Sequence, residues 1–162
     1  MDAIKLLTEQ HRRLEASLKQ ALQAREPAAR SSALARAGDD LTKHLTSEEE
    51  IFYPAVKARS TEDILLESLE EHLSLKRLLA DLLMLDTAAE TWEPKLKVLE
   101  EQTVHHHKEE EERLFPTVRK TWEDRELFDL GQQLLARQQQ LQGDGAPRDA
   151  VLEQTSEATP LK

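Results

Sequence analysis

Cysteine is absent from the chain. That excludes a disulfide, a thiolate nucleophile and a cysteine-held metal. Long apolar runs are absent too. Nothing approaches the roughly 18 consecutive apolar residues of a membrane span, and the first ten residues lack the apolar stretch of a secretory signal. These absences lead to the expectation of a cytoplasmic protein. Positive charge is scarce: 22 basic residues stand against 32 acidic ones, for a net charge of −10. Such a balance argues against nucleic acid or an anionic membrane surface as partner, because both need clustered cations. Four glycines and six prolines in 162 residues leave long stretches without a breaker, which favours helix throughout.

Apolar residues recur at spacings of three and four, the signature of amphipathic helices. Residues 3 to 24 form one such stripe, through Ile4, Leu7, His11, Leu14 and Leu18, with Asp2 placed to cap it. A second helix spans residues 28 to 58, with Pro27 near its first turn and Pro54 expected to kink or end it. A third starts at Ser60 or Thr61 and runs to about Leu85 through Leu65, Leu69, His72 and Leu75. Thr91 can cap a fourth, whose inner face carries Leu96, Leu99, Thr103, His106, Glu110 and Leu114. The expected fold is therefore all-α: an up-and-down four-helix bundle over residues 1–121, an extra packed helix over 122–141 and a loose polar tail over 142–162.

The bundle carries an internal repeat. Pro54 and Pro116 stand 62 residues apart (116 − 54), and the same offset places His44 on His106 and Glu48 on Glu110. His11 and His72, 61 apart (72 − 11), are each followed by leucine at +3 and +7. Residues i and i+4 share a helix face, so His44 and Glu48 can reach one point, as can His106 and Glu110. Four helices thus aim four imidazoles and two carboxylates at the interior. Two buried carboxylates repel and are poorly solvated, a cost that cations between them remove. The twofold repetition suggests two metal ions bridged by the carboxylates. Mixed nitrogen and oxygen donors suit iron, with manganese or zinc less favoured. His105 and His107 have the same i, i+4 spacing to Glu109 and Glu111 on faces about 100° away; the register of the prolines selects His106 and leaves its neighbours flanking the site. The remaining glutamates of the acidic runs read as solvated helix faces.

The order His11, His44-x-x-x-Glu48, His72, His106-x-x-x-Glu110 resembles the hemerythrin-like (HHE cation-binding) domain over about residues 3 to 120. The resemblance implies a non-haem di-iron centre in a four-helix bundle, with Glu48 and Glu110 bridging and an oxo or hydroxo group between the ions. It also implies reaction with peroxide, oxygen or nitric oxide. One departure stands out. Oxygen carriers of the family have a second histidine one turn on along the third helix, where this chain has Lys76. The missing ligand leaves an iron position open, which points to peroxide chemistry, catalase-like or peroxidase-like, rather than reversible oxygen carriage. The other reading is a non-enzymatic sensor, carrier or store of oxygen or iron. Tyr53, the only tyrosine, follows Glu48 by five residues and becomes a further candidate ligand if the helix bends near Pro54.

Overall fold

The computed structural model describes residues 1–162 and is entirely helical. Helix α1 spans Ala3–Gln23, and the Asp2 carboxylate caps it by accepting from the Lys5 N–H at 2.9 Å. Helix α2 starts with Pro27 in its first turn, runs through Ser47, widens into a π turn at Glu48–Phe52 and ends with Tyr53–Ala55. Helix α3 covers Glu62–Met84. Helix α4 covers Trp92–Glu109, passes through a second π turn at Glu110–Leu114 and continues over Phe115–Thr121. Helix α5 spans Asp124–Gly143 and opens with a capping box between Glu123 and Glu126. Thr61 and Thr91 stand at their expected N-cap positions, but neither side chain caps. The Thr61 hydroxyl instead donates to the Val56 carbonyl at 2.6 Å and fastens the preceding turn.

Short connections make α1 to α4 an up-and-down bundle, with α1 against α2 and α4, and α3 against α4. The buried apolar side chains fall into two clusters. One holds Leu14, Leu18, Leu41, Leu45, Leu75, Leu79, Leu96, Leu99 and Trp92. The other holds Leu7, Phe52, Tyr53, Leu65, Leu69, Leu114 and Phe115. Helices α1 and α3 cross from one cluster to the other at a histidine, His11 between Leu7 and Leu14 and His72 between Leu69 and Leu75. Helix α4 crosses between Leu99 and Leu114, where His106 lies, and α2 crosses between Leu45 and Phe52, where Glu48 lies. A polar layer therefore separates two apolar halves.

Helix α5 packs across α1 and α2. Gly131 allows it to touch the start of the chain, because a Cβ there would strike the Met1 carbonyl oxygen and lie 3.1 Å from the Ala3 nitrogen. Residues 142–162 correct the expectation of a loose tail. The backbone turns at Gly145, whose φ of 116° suits glycine, and forms a 3-10 helix over Pro147–Glu153 against α2 and α3. Val151 is buried in the first cluster, and Ala158 and Leu161 pack on the second. Arg148 pairs with Asp39 at 2.9 Å, and Arg77 donates to the Thr155 and Ser156 carbonyls. A handful of apolar anchors and side chain-to-backbone bonds fix a segment whose composition is polar.

Gly131→Ala should destabilise the fold by about 1–2 kcal/mol, since overpacking against backbone outweighs the gain in helix propensity. Gly143→Ala, with nothing within 4 Å of the added Cβ, should be neutral or slightly stabilising. Urea unfolding midpoints of the two variants make the comparison.

Candidate metal centre

The six side chains that the sequence singles out meet at the polar layer, and all are buried: His11, His44, Glu48, His72, His106 and Glu110. Within each helix the i, i+4 pairs close as expected, with His44 Nε2 3.3 Å from Glu48 Oε1 and His106 Nε2 3.4 Å from Glu110 Oε1. Across helices the carboxylates reach further. Glu48 Oε1 also lies 3.3 Å from His72 Nε2, and Glu110 Oε1 lies 3.1 Å from His11 Nε2. Each carboxylate thus spans two imidazoles from different helices.

A fifth imidazole belongs to the layer. His107, expected beside the site, is buried, and its ring stacks on that of His11 with centroids 3.8 Å apart. His105 is exposed. The reason is the seat of α4 between α1 and α3. Adjacent residues about 100° apart on a helix facing two neighbours can both point inward: His106 toward His72 on α3, His107 toward His11 on α1. Three consecutive histidines were the available signal, but the proline register admits only one of them. Three donor groups result. His11, His44 and His107 lie together; Glu48, His72 and His106 lie together; Glu48 and Glu110 join His11 and His44.

Tyr53 completes the second group. Its hydroxyl donates to Glu110 Oε2 at 2.7 Å and lies 3.1 Å from His72 Nε2. In a regular α-helix a residue five positions after Glu48 points well away from it. The π turn, in which the Tyr53 N–H bonds the Glu48 carbonyl, brings it back over the same face. The second π turn repeats this, with the Phe115 N–H on the Glu110 carbonyl.

The outer edges of the rings are held with equal regularity. Nδ1 of His11 meets Glu111 at 2.7 Å, Nδ1 of His72 meets Glu49 at 2.8 Å, Nδ1 of His106 meets Glu71 at 2.8 Å and Nδ1 of His107 meets Glu15 at 2.7 Å. His44 differs, since its Nδ1 meets the amide oxygen of Gln10 at 2.9 Å. Arg12 ties Glu15 and Glu111 together. An Nδ1–H directed outward leaves the Nε2 lone pair facing inward. Glu49 and Glu111, read from the sequence as solvated, therefore orient two of the rings. Lys76 is buried and bonds Glu49 at 2.9 Å, and the tail residue Thr159 donates to the same oxygen at 2.6 Å. Burial alone would raise the Glu49 carboxyl, but His72, Lys76 and Thr159 hold it down to about 2.

On the interior side His72 Nε2 and His106 Nε2 meet each other at 3.1 Å, and most of the other polar atoms are unsatisfied. Nε2 of His11, His44 and His107, both oxygens of Glu48 and Oε1 of Glu110 make up six of the nine buried side-chain polar atoms that lack a hydrogen bond. Without a cation the charges sort themselves. Burial and the nearby Glu110 push Glu48 well above the usual carboxylate range. Burial opposes ionisation of Glu110 as well, but His106 and His11 hold it well below that range. Burial together with the neighbouring His11 and His107 pushes His44 down. Inward-facing lone pairs and orphaned carboxylate oxygens are a donor set that fits metal ions.

A family model described as "Hemerythrin HHE cation binding domain" matches residues 2–118. No curated protein matches the chain. Among solved structures, a crystal structure of a hemerythrin HHE cation binding domain-containing protein from Mycobacterium kansasii is similar in fold, with a TM-score of 0.82 at 21% identity. The similarity covers 95% of this chain and 99% of that one.

His106→Ala and His107→Ala should each weaken metal binding by at least about tenfold, whereas His105→Ala should leave it unchanged. Equilibrium titration with a competing chelator distinguishes the three; retention of full affinity by His107→Ala would remove that residue from the centre.

Proposed function

The chain belongs to the hemerythrin HHE cation-binding family, and on that premise we propose that it is a non-haem di-iron protein that reacts with hydrogen peroxide, oxygen or nitric oxide, with catalase-like turnover as its enzymatic form. The observation that carries this reading is the pair of donor sets joined by shared carboxylates. His11, His44 and His107 would hold one ion. His72, His106 and Tyr53 would hold the other, and Glu48 and Glu110 would bridge. Mixed imidazole, carboxylate and phenol donors suit iron best, while manganese or zinc would also find ligands here. Bound iron supplies a redox-active Lewis acid.

The residues of the chain supply the rest. The carboxylates of Glu15, Glu49, Glu71 and Glu111 fix the tautomer of four imidazoles and raise their basicity. Apolar side chains on both sides of the layer exclude bulk water and strengthen each electrostatic contact within it. Burial and the neighbouring Glu110 and Glu48 raise the Tyr53 phenol well above its usual range, so without a cation it keeps its proton and donates to Glu110. Tyr53 would give up that proton and offer a phenolate oxygen if a cation were held beside it. Lys76, in place of a further histidine, bonds Glu49 rather than facing the centre. It leaves the second donor set with two imidazoles and one phenol, a set with room for a small exogenous ligand.

Metal analysis of the purified protein, with optical spectra before and after hydrogen peroxide, tests the proposal. About two irons per chain and near-ultraviolet charge-transfer bands that change with peroxide are the expected outcome. A chain that takes up no iron would overturn it. Iron that binds yet ignores peroxide, oxygen and nitric oxide would leave storage or sensing instead. Tyr53→Phe should still bind iron but lose any longer-wavelength phenolate band; an unchanged spectrum would place Tyr53 outside the ligand set.

A further inference from the structure

His44 is the exception among the five rings, and a cavity lies behind it. The four other Nδ1 atoms face carboxylates, whereas His44 faces the neutral amide of Gln10. A neutral acceptor polarises an imidazole less than an anion does, so His44 is the least strongly backed ring of the set. At this point α1, α2 and α5 leave a surface cavity of about 190 Å³, with His44 and Gln10 in its wall.

The cavity has the lining of an anion site. Arg13 and Lys43 contribute two cations, and Asp40, 3.2 Å from Lys43, contributes one opposing charge. Arg13 is exposed at the cavity rim. The local balance is one positive charge in a protein whose net charge is −10. Gln10 and Gln138 hold each other through two amide bonds of 2.7 and 3.1 Å. Bonds between neutral amides cost little net free energy to exchange for bonds to an anion.

We propose that this cavity binds a small carboxylate, which displaces the Gln10 amide from His44 Nδ1 and supplies the anionic backing that the other four imidazoles have from the chain itself. Arg13 and Lys43 hold the anion, and one positive charge matches one carboxylate. The volume suits an acid of a few carbons. Binding in the cavity is independent of the di-iron reading. Its consequence, a firmer hold of His44 on metal, rests on that reading.

The test uses acetate at constant ionic strength. Calorimetry with the metal-free and the iron-loaded protein reads binding, and the rate of iron release to a chelator reads the effect on His44. Acetate should bind both forms and slow iron release by about tenfold. Arg13→Gln, an exposed change, should abolish both effects. Gln10→Glu, with folding checked by its melting curve, should release iron slowly without acetate and no longer respond to it. An acetate effect that survives in both variants would mean direct attack on the metal and overturn the proposal, as would the absence of acetate heat in the wild-type protein. If the chain loads no iron, the di-iron reading fails by itself, while acetate heat lost in Arg13→Gln still supports the cavity.

Discussion

The structure depends on the cost of removing two carboxylates and five imidazoles from water. Burying one ionised carboxylate without compensation costs several kcal/mol, and here Glu48 and Glu110 lie in one dry layer. The chain answers at two levels. Around the rim, Glu15, Glu49, Glu71, Glu111 and Gln10 satisfy the outer edges of the rings. At the centre the inner edges of His11, His44 and His107 stay open, as do both oxygens of Glu48 and one of Glu110. Side chains so fully supported on one side and so bare on the other are preorganised for cations, which bind without waiting for the rings to turn. The two apolar clusters above and below are the walls that make this layer dry.

The bundle was legible because leucine spacing and scarce breakers speak for helices wherever packing agrees with propensity. His11, His44, Glu48, His72, His106 and Glu110 were legible because a repeat ties them together. The rest was hidden for specific reasons. His107 lies one residue off the repeat, and only the seat of α4 between two helices turns it inward. Glu49 and Glu111 sit in acidic runs that look solvated until their neighbours are placed. The tail is held by Val151, Arg148 and Thr159, single anchors too sparse to form a periodic pattern.

The π turns occupy the two places where the helices must do more than continue. Each begins at a carboxylate of the centre and ends just before the residue that precedes a proline. Proline cannot donate to the helix, and a wider turn absorbs that defect while returning the fifth residue to the face of the first. A local weakness in the helix thereby becomes the means of placing Tyr53. The tail acts on the same region from outside, because Thr159 and Lys76 share an oxygen of Glu49 with no intervening group.

Seen along its axis, the centre has an approximate dyad. Rotation exchanges His11 with His72, His44 with His106 and Glu48 with Glu110, and each carboxylate bridges across the axis to the opposite pair. The dyad fails at two pairs of positions. Tyr53 corresponds to Phe115, which stacks on His11 at 5.8 Å and offers no donor. His107 corresponds to Leu45, which lies in the apolar core. The two repeats therefore differ by a phenol against a phenyl ring at one position and by an imidazole against a leucine side chain at the other. A duplicated hairpin would build two equal groups of donors; this chain builds two unequal ones, with a phenol beside His72 and His106 and a third imidazole beside His11 and His44.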